Sequence, residues 1–155
     1  MIALFAPGQG SQTPGMLAPW LDLPGARDRL ELWSKASGLD LLRLGTTATA
    51  EEITDTAVTQ PLVVAAALLA YSEIPDDTVP AQTLVAGHSV GELAAAAIAG
   101  VITADDAVKL AAIRGGEMAK ACALVPTGMS AVLGGDETAV LERLAELDLV
   151  PANRN

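Results

Sequence analysis

The sequence predicts an α/β fold, a mostly parallel sheet covered by helices, and three observations predict it. Short apolar runs with strand character alternate with helical patterns along the chain. The pentapeptide Gly87-His88-Ser89-Val90-Gly91 follows the apolar run Leu84-Val85-Ala86 and opens the alanine-rich segment Glu92 to Ala99, which reads as strand, sharp turn and helix. A glycine-rich turn, Pro7 to Gln12, directly follows the first strand.

Taken in order, Ile2 to Ala6 is the first strand and Thr83 to Ala86 the central one. Between them Ala26 to Ser37 and Pro61 to Ile74 are helical, the second with Thr59 as its cap and Pro61 in its first turn, and Pro75 stops it. Thr103, with Asp106 three residues later, forms a capping box for a helix of about four or five turns that runs to Ala121. Pro126-Thr127-Gly128 then breaks the pattern. Met129 to Leu133 reads as a strand and Glu137 to Leu147 as a helix with Val140, Leu141, Leu144 and Leu147 on one face. Leu149 onward reads as the start of another strand. No internal repeat is visible, and the end at Asn155, where a strand is beginning, reads as a cut.

Composition narrows the function classes. The 155 residues make one ordinary domain, about half hydrophobic and 18% charged, which is globular rather than disordered. The longest apolar stretches, Pro61 to Tyr71 and Leu93 to Ile102, fall short of the ~18 residues that a membrane span needs. No basic region precedes the first strand, which argues against a secretory signal and for the cytoplasm. Cys122 is the single cysteine and His88 the single histidine, too few soft ligands for a zinc site. Net charge is −10, from 19 acidic and 9 basic residues, which argues against nucleic acid as a partner, and the acidic surface reads as solubilising.

Ser89 stands at the apex of a G-x-S-x-G turn, where the backbone is strained, the hydroxyl projects above the sheet, and flanking glycines let strand and helix cross closely. It is the candidate nucleophile. It needs a base, and the only histidine is its neighbour His88. Adjacent residues on a tight turn point apart, so His88 reads as a ring that packs or hydrogen-bonds beneath the elbow rather than as that base. No Asp or Glu can be assigned as a third member from spacing alone.

The loop Pro7-Gly8-Gln9-Gly10-Ser11-Gln12 has two readings. As a dinucleotide fingerprint it fails, because Thr13 stands where the third glycine belongs. As an oxyanion loop it fits: one donor would be the Val90 backbone N–H after the serine, the other the backbone N–H of Gln9. A purely structural turn stays open. Arg114 falls on the helix face of Ala107, Leu110, Ala111 and Met118, away from Asp106, Lys109, Glu117 and Lys120. A buried guanidinium should meet a carboxylate, either a structural Asp or Glu, which the pattern alone favours, or the acid group of a ligand.

Pro7 to Gln12, Thr59-Gln60-Pro61, Gly87 to Glu92, Arg114-Gly115 with Met118, and Pro151-Ala152-Asn153 with Asn155 together closely resemble the malonyl-CoA:acyl carrier protein transacylase family, which also supplies acyltransferase domains of fatty acid and polyketide synthases. Several motifs in the right order, from the first strand to the last residue, are more specific than G-x-S-x-G alone. The resemblance implies a ping-pong transfer: Ser89 takes malonyl from malonyl-CoA as an ester and passes it to the phosphopantetheine thiol of acyl carrier protein. It implies oxyanion donors at the N–H groups of Gln9 and Val90, Arg114 as the substrate-carboxylate arginine, Gln60 lining the same pocket, and His88 as elbow support. It implies no cofactor, malonyl-CoA being a substrate, and a monomer. The implied fold is a hydrolase-like α/β domain, residues 1–125 here, with a small ferredoxin-like subdomain inserted late, of which residues 126–155 are the beginning.

The family's catalytic histidine and its partner lie well downstream of Asn155, so these 155 residues are expected to be catalytically incomplete. Val90 leans toward malonyl over methylmalonyl, and a first strand starting at Ile2 favours a free-standing enzyme over a synthase module. Nothing is drawn from Arg154. Two alternatives differ in kind: a serine esterase or thioesterase, in which a neutral substrate would give Arg114 no partner, and a non-catalytic fragment that at most binds CoA or carrier protein.

Overall fold

The computed structural model describes residues 2–80, 82–125 and 128–153. Two compact units divide it, Met1–Val125 and Pro126–Asn155. In the first, strand β1 (Ala3–Ala6) pairs in parallel with β2 (Leu84–Gly87), Ala3 opposite Leu84 and Ala6 opposite Gly87. Helices α1 (Ala26–Ser37), α2 (Leu41–Thr46) and α3 (Thr56–Ser72) lie between the strands in sequence. Helices α4 (Gly91–Ile98) and α5 (Ala104–Leu124) follow β2. This is the α/β alternation that the sequence predicts.

Helix α3 runs through the core. Leu62, Val64 and Leu69 are fully buried, as are Leu17, Leu30 and Leu41 from the segments around it, Val90 at the start of α4, and Val108 and Ala111 of α5. The indole N–H of Trp33 on α1 donates to Asp105 in the first turn of α5 at 2.9 Å, joining two helices that otherwise meet through apolar contacts. Helices cover one face of the sheet only. Ala3, Phe5, Leu84 and Ala86 point to the other face, where Phe5 is 79% exposed, so the expectation of a sheet covered by helices holds for one side among the described residues.

Helix α3 begins five residues before the predicted start. Asp55, not Thr59, caps it by accepting from the Ala57 N–H at 2.9 Å. Thr59 is buried inside the helix, where its hydroxyl bonds back to the carbonyls of Ile53 and Asp55. Pro61 therefore sits in the second turn, not the first. The unbroken buried stretch Thr59 to Ala65 explains why it is tolerated, since tertiary packing supplies most of a helix's stability. The Thr103 cap of α5 is as predicted, accepting from the Asp106 N–H at 3.1 Å, and the helix runs on to Leu124. Helix α2, capped by Asp40, was not predicted.

In the second unit, α6 (Glu137–Glu146) forms with Asp136 as its cap and with Val140, Leu141 and Leu144 half-buried, whereas Leu147 is exposed. The strands expected at Met129–Leu133 and from Leu149 are not formed among the described residues. A strand exists through its ladder partner, and neither segment has one here; Leu133 is 93% exposed and Val150 85%. Pro126 and Thr127 of the predicted break, and Arg154 and Asn155, lie outside the described residues.

Candidate active site

Ser89 has φ +54, a left-handed backbone unusual for a residue with a side chain, as an elbow serine requires. Its neighbours explain how it is held there. A Cβ on Gly87 would lie 2.2 Å from the Gly91 carbonyl group, and a Cβ on Gly91 would lie 2.4 Å from the Ala6 carbonyl oxygen and 2.5 Å from that of Pro7. The first turn of α4 is thus pressed onto the end of β2 and onto the residues that leave β1. The ladder continues into the elbow, the His88 N–H donating to the Ala6 carbonyl at 3.0 Å, and the helix starts tightly, with the Glu92 N–H donating to the Ser89 carbonyl at 3.0 Å.

The loop after β1 packs directly on this turn, since a Cβ on Gly8 would lie 2.6 Å from both the His88 carbonyl oxygen and His88 Nδ1. Gly10 has φ +107, and its N–H donates to Gln12 Oε1 at 2.8 Å; the Ser11 hydroxyl donates to the Gly8 carbonyl at 2.9 Å. The Gln9 side chain leaves the loop and donates from Nε2 to the Thr56 hydroxyl at 3.2 Å. The loop is therefore a structured partner of the elbow. Val90 is fully buried at the N-terminus of α4, where backbone N–H groups have no intrahelical acceptor.

Arg114 reaches the serine from α5. Its Nη2 donates to Ser89 Oγ at 3.1 Å and its Nη1 to Gln60 Oε1 at 2.8 Å. The guanidinium is half-buried, and among the described residues these bonds, not a carboxylate, are what it meets. The structural salt bridge that the helix pattern favours is not among the ion pairs of the described residues, and the amide of Gln60 accepts from the guanidinium instead. Gln60 itself is fully buried on α3. Its other amide end donates to Met118 Sδ at 3.1 Å, one helical turn beyond Arg114. The guanidinium carries donors only, so it fixes the amide oxygen toward itself and turns the NH2 toward the sulfur. Gly115 makes the reach short: a Cβ there would lie 2.6 Å from the Thr56 carbonyl oxygen, which brings α5 against α3 beside Arg114.

The structure therefore brings Ser89, Arg114 and Gln60 into one hydrogen-bonded chain, with His88 and Val90 flanking the serine in the turn and Gln9 next to Gly8, which packs on His88. Thr56 was not singled out in the sequence, because with α3 starting at Pro61 it fell in a loop; the helix-capping Asp55 before it was the available signal. Among the described residues no group of three His, Cys, Asp or Glu side chains comes together as a cation site, and no helix is long and apolar enough to cross a membrane.

A family profile described as the acyl transferase domain matches residues 4–155. The chain belongs to the acyl transferase family. It is 73% identical over 157 residues to the malonyl CoA-acyl carrier protein transacylase of Mycobacterium tuberculosis, covering 100% of this chain and 52% of that protein. The Escherichia coli transacylase is 38% identical over 161 residues, covering 99% and 51%. The crystal structure of MCAT from Mycobacterium tuberculosis superposes with a TM-score of 0.91 at 73% identity, over 99% of this chain and 52% of that one. A type II PKS acyl-carrier protein in complex with its malonyl-transacylase matches with a TM-score of 0.79 at 34% identity, over 94% and 47%. The chain spans about half the length of the curated relatives it matches.

Proposed function

We propose that this acyl transferase carries malonyl on Ser89, taking it from malonyl-CoA and passing it to the phosphopantetheine thiol of an acyl carrier protein. The observation that carries this reading is the placement of Arg114, with one nitrogen 3.1 Å from the serine oxygen and the other held by buried Gln60. An acyl group on Ser89 that ends in a carboxylate would find a fixed cation beside it, and a planar guanidinium suits that carboxylate bidentately. A neutral ester would leave the charge without a counterpart, so the esterase alternative is not favoured.

In the first half-reaction Ser89 Oγ attacks the thioester carbonyl, the O–C bond forms, the C–S bond breaks, and the hydroxyl proton leaves through a base to the departing CoA sulfur. The backbone N–H groups of Gln9 and Val90 are assigned as the donors to the oxygen on which charge develops. In the second half-reaction the carrier thiol attacks the ester and the serine oxygen regains a proton. His88, next to Ser89 on the elbow, supports the turn, and the base is assigned to residues that are not among these 155. On this reading the reaction runs in the cytoplasm in a monomer without a bound cofactor. Residues 1–125 belong to the hydrolase-like domain, and residues 126–155 begin a ferredoxin-like subdomain.

Intact mass spectrometry of the full-length protein with malonyl-CoA tests this. A malonyl adduct that is lost in Ser89→Ala is expected. Arg114→Ala should slow malonyl loading by roughly 10- to 100-fold, the worth of hydrogen bonds to a charged group, and leave acetyl loading nearly unchanged. Equal loss for both acyl groups would rule out the carboxylate role.

A further inference from the structure

The loop that carries Gln9 packs on the elbow through Gly8, and at Gln9 its tie to the rest of the fold is a side-chain hydrogen bond. Gly8 and Gly10 flank it, Gly10 at φ +107, and the bonds of Gly10 and Ser11 stay within the loop. The Gln9 side chain, by contrast, crosses 47 positions of sequence to donate to the hydroxyl of Thr56, the first residue of α3. Thr56 is also where α5 touches α3, its carbonyl oxygen being the atom that leaves no room for a Cβ on Gly115. Gln60, which holds Arg114, stands one helical turn beyond Thr56. One turn of α3 therefore contacts both Gln9 and the arginine that bonds Ser89.

We propose that Thr56 is a positioning residue: by holding the Gln9 side chain, its hydroxyl fixes the Gln9 backbone N–H at the developing oxyanion and keeps that donor in register with the arginine side of the site. This rests on the acyl-transfer reading above. A donor displaced by a fraction of an ångström still binds substrate but stabilises the transition state poorly, so the effect falls on kcat. The oxyanion belongs to any thioester, so malonyl and acetyl loading should suffer alike, unlike the loss of Arg114.

The test uses the full-length protein, with rapid-quench loading of Ser89 from malonyl-CoA and from acetyl-CoA. Thr56→Val should lower kcat about tenfold for both donors, with KM within about twofold of wild type, and Thr56→Ser should restore it. Gln9→Ala, which keeps the backbone N–H and removes only the exposed tether, should lower kcat as Thr56→Val does, and adding Thr56→Val to it should do nothing more. That exposed variant carries the test even if Thr56→Val fails to fold. An unchanged kcat in Gln9→Ala, a Thr56→Ser variant as slow as Thr56→Val, or a full additional loss in the double variant overturns the proposal. A wild-type protein that forms no ester removes the acyl-transfer reading itself, and the proposal with it.

Discussion

The two sides of Ser89 are held by different physics. On the backbone side Gly87, Gly91 and Gly8 meet carbonyl groups at distances that exclude even a methyl group. On the other side Arg114, Gln60 and Met118 form a chain of side-chain hydrogen bonds between α5 and α3. Contact through rigid backbone has no graded response, whereas a hydrogen-bonded side chain can be exchanged for another. The steric side thus sets whether there is an elbow at all, and on the proposed function the polar side selects the acyl group.

The sharpest way to break this contrast is Gly91→Ala. The new Cβ would meet backbone oxygen of Ala6 and Pro7, which cannot rotate away, so the variant should lose about 3 kcal/mol of stability. Chemical denaturation reads this directly, and normal stability would show that sterics do not hold the turn. Gln60→Glu comes next. A carboxylate in place of the amide would neutralise Arg114 in advance, so malonyl loading should fall roughly tenfold or more while acetyl loading holds. A parallel drop for both acyl-CoA donors would mean that the polar side also shapes the elbow.

The smallest effect lies away from the site and shows how little an exposed polar contact counts. The Thr49 backbone N–H, then the Arg43 guanidinium at 2.9 Å, hold the exposed Glu52 carboxyl below its ordinary value of 4.5. A lowered value favours the ionised form in the folded protein. The stabilisation is therefore complete above the ordinary value and is lost as pH falls through the depressed one. Wild type should melt slightly above Glu52→Gln at neutral pH, and the gap should close in acid; a gap that persists at low pH would refute the carboxylate as its source.

What the sequence made legible follows from range. The elbow and the apolar-face position of Arg114 are local patterns, a five-residue spacing and a helical period, and both survive in the structure. The start of α3 does not, because proline's preference for a first turn is weaker than burial that encloses Thr59 to Ala65 on all sides. That error hid Thr56. Met129 to Leu133 has strand composition, but pairing is settled by a partner elsewhere, which composition does not encode. Arg114 was expected to need a carboxylate on the premise of full burial. Its partial exposure, a tertiary property, leaves it open to a ligand while Gln60 orients it, which is what the proposed function uses.

The left-handed backbone of Ser89 has a consequence for anyone selecting variants of this protein. Glycine relaxes in that conformation and alanine does not, so Ser89→Ala reports the missing hydroxyl whereas Ser89→Gly also releases local strain, on the order of 1 kcal/mol. A library sorted for thermal tolerance alone would enrich glycine at this position and discard the proposed nucleophile as its first improvement.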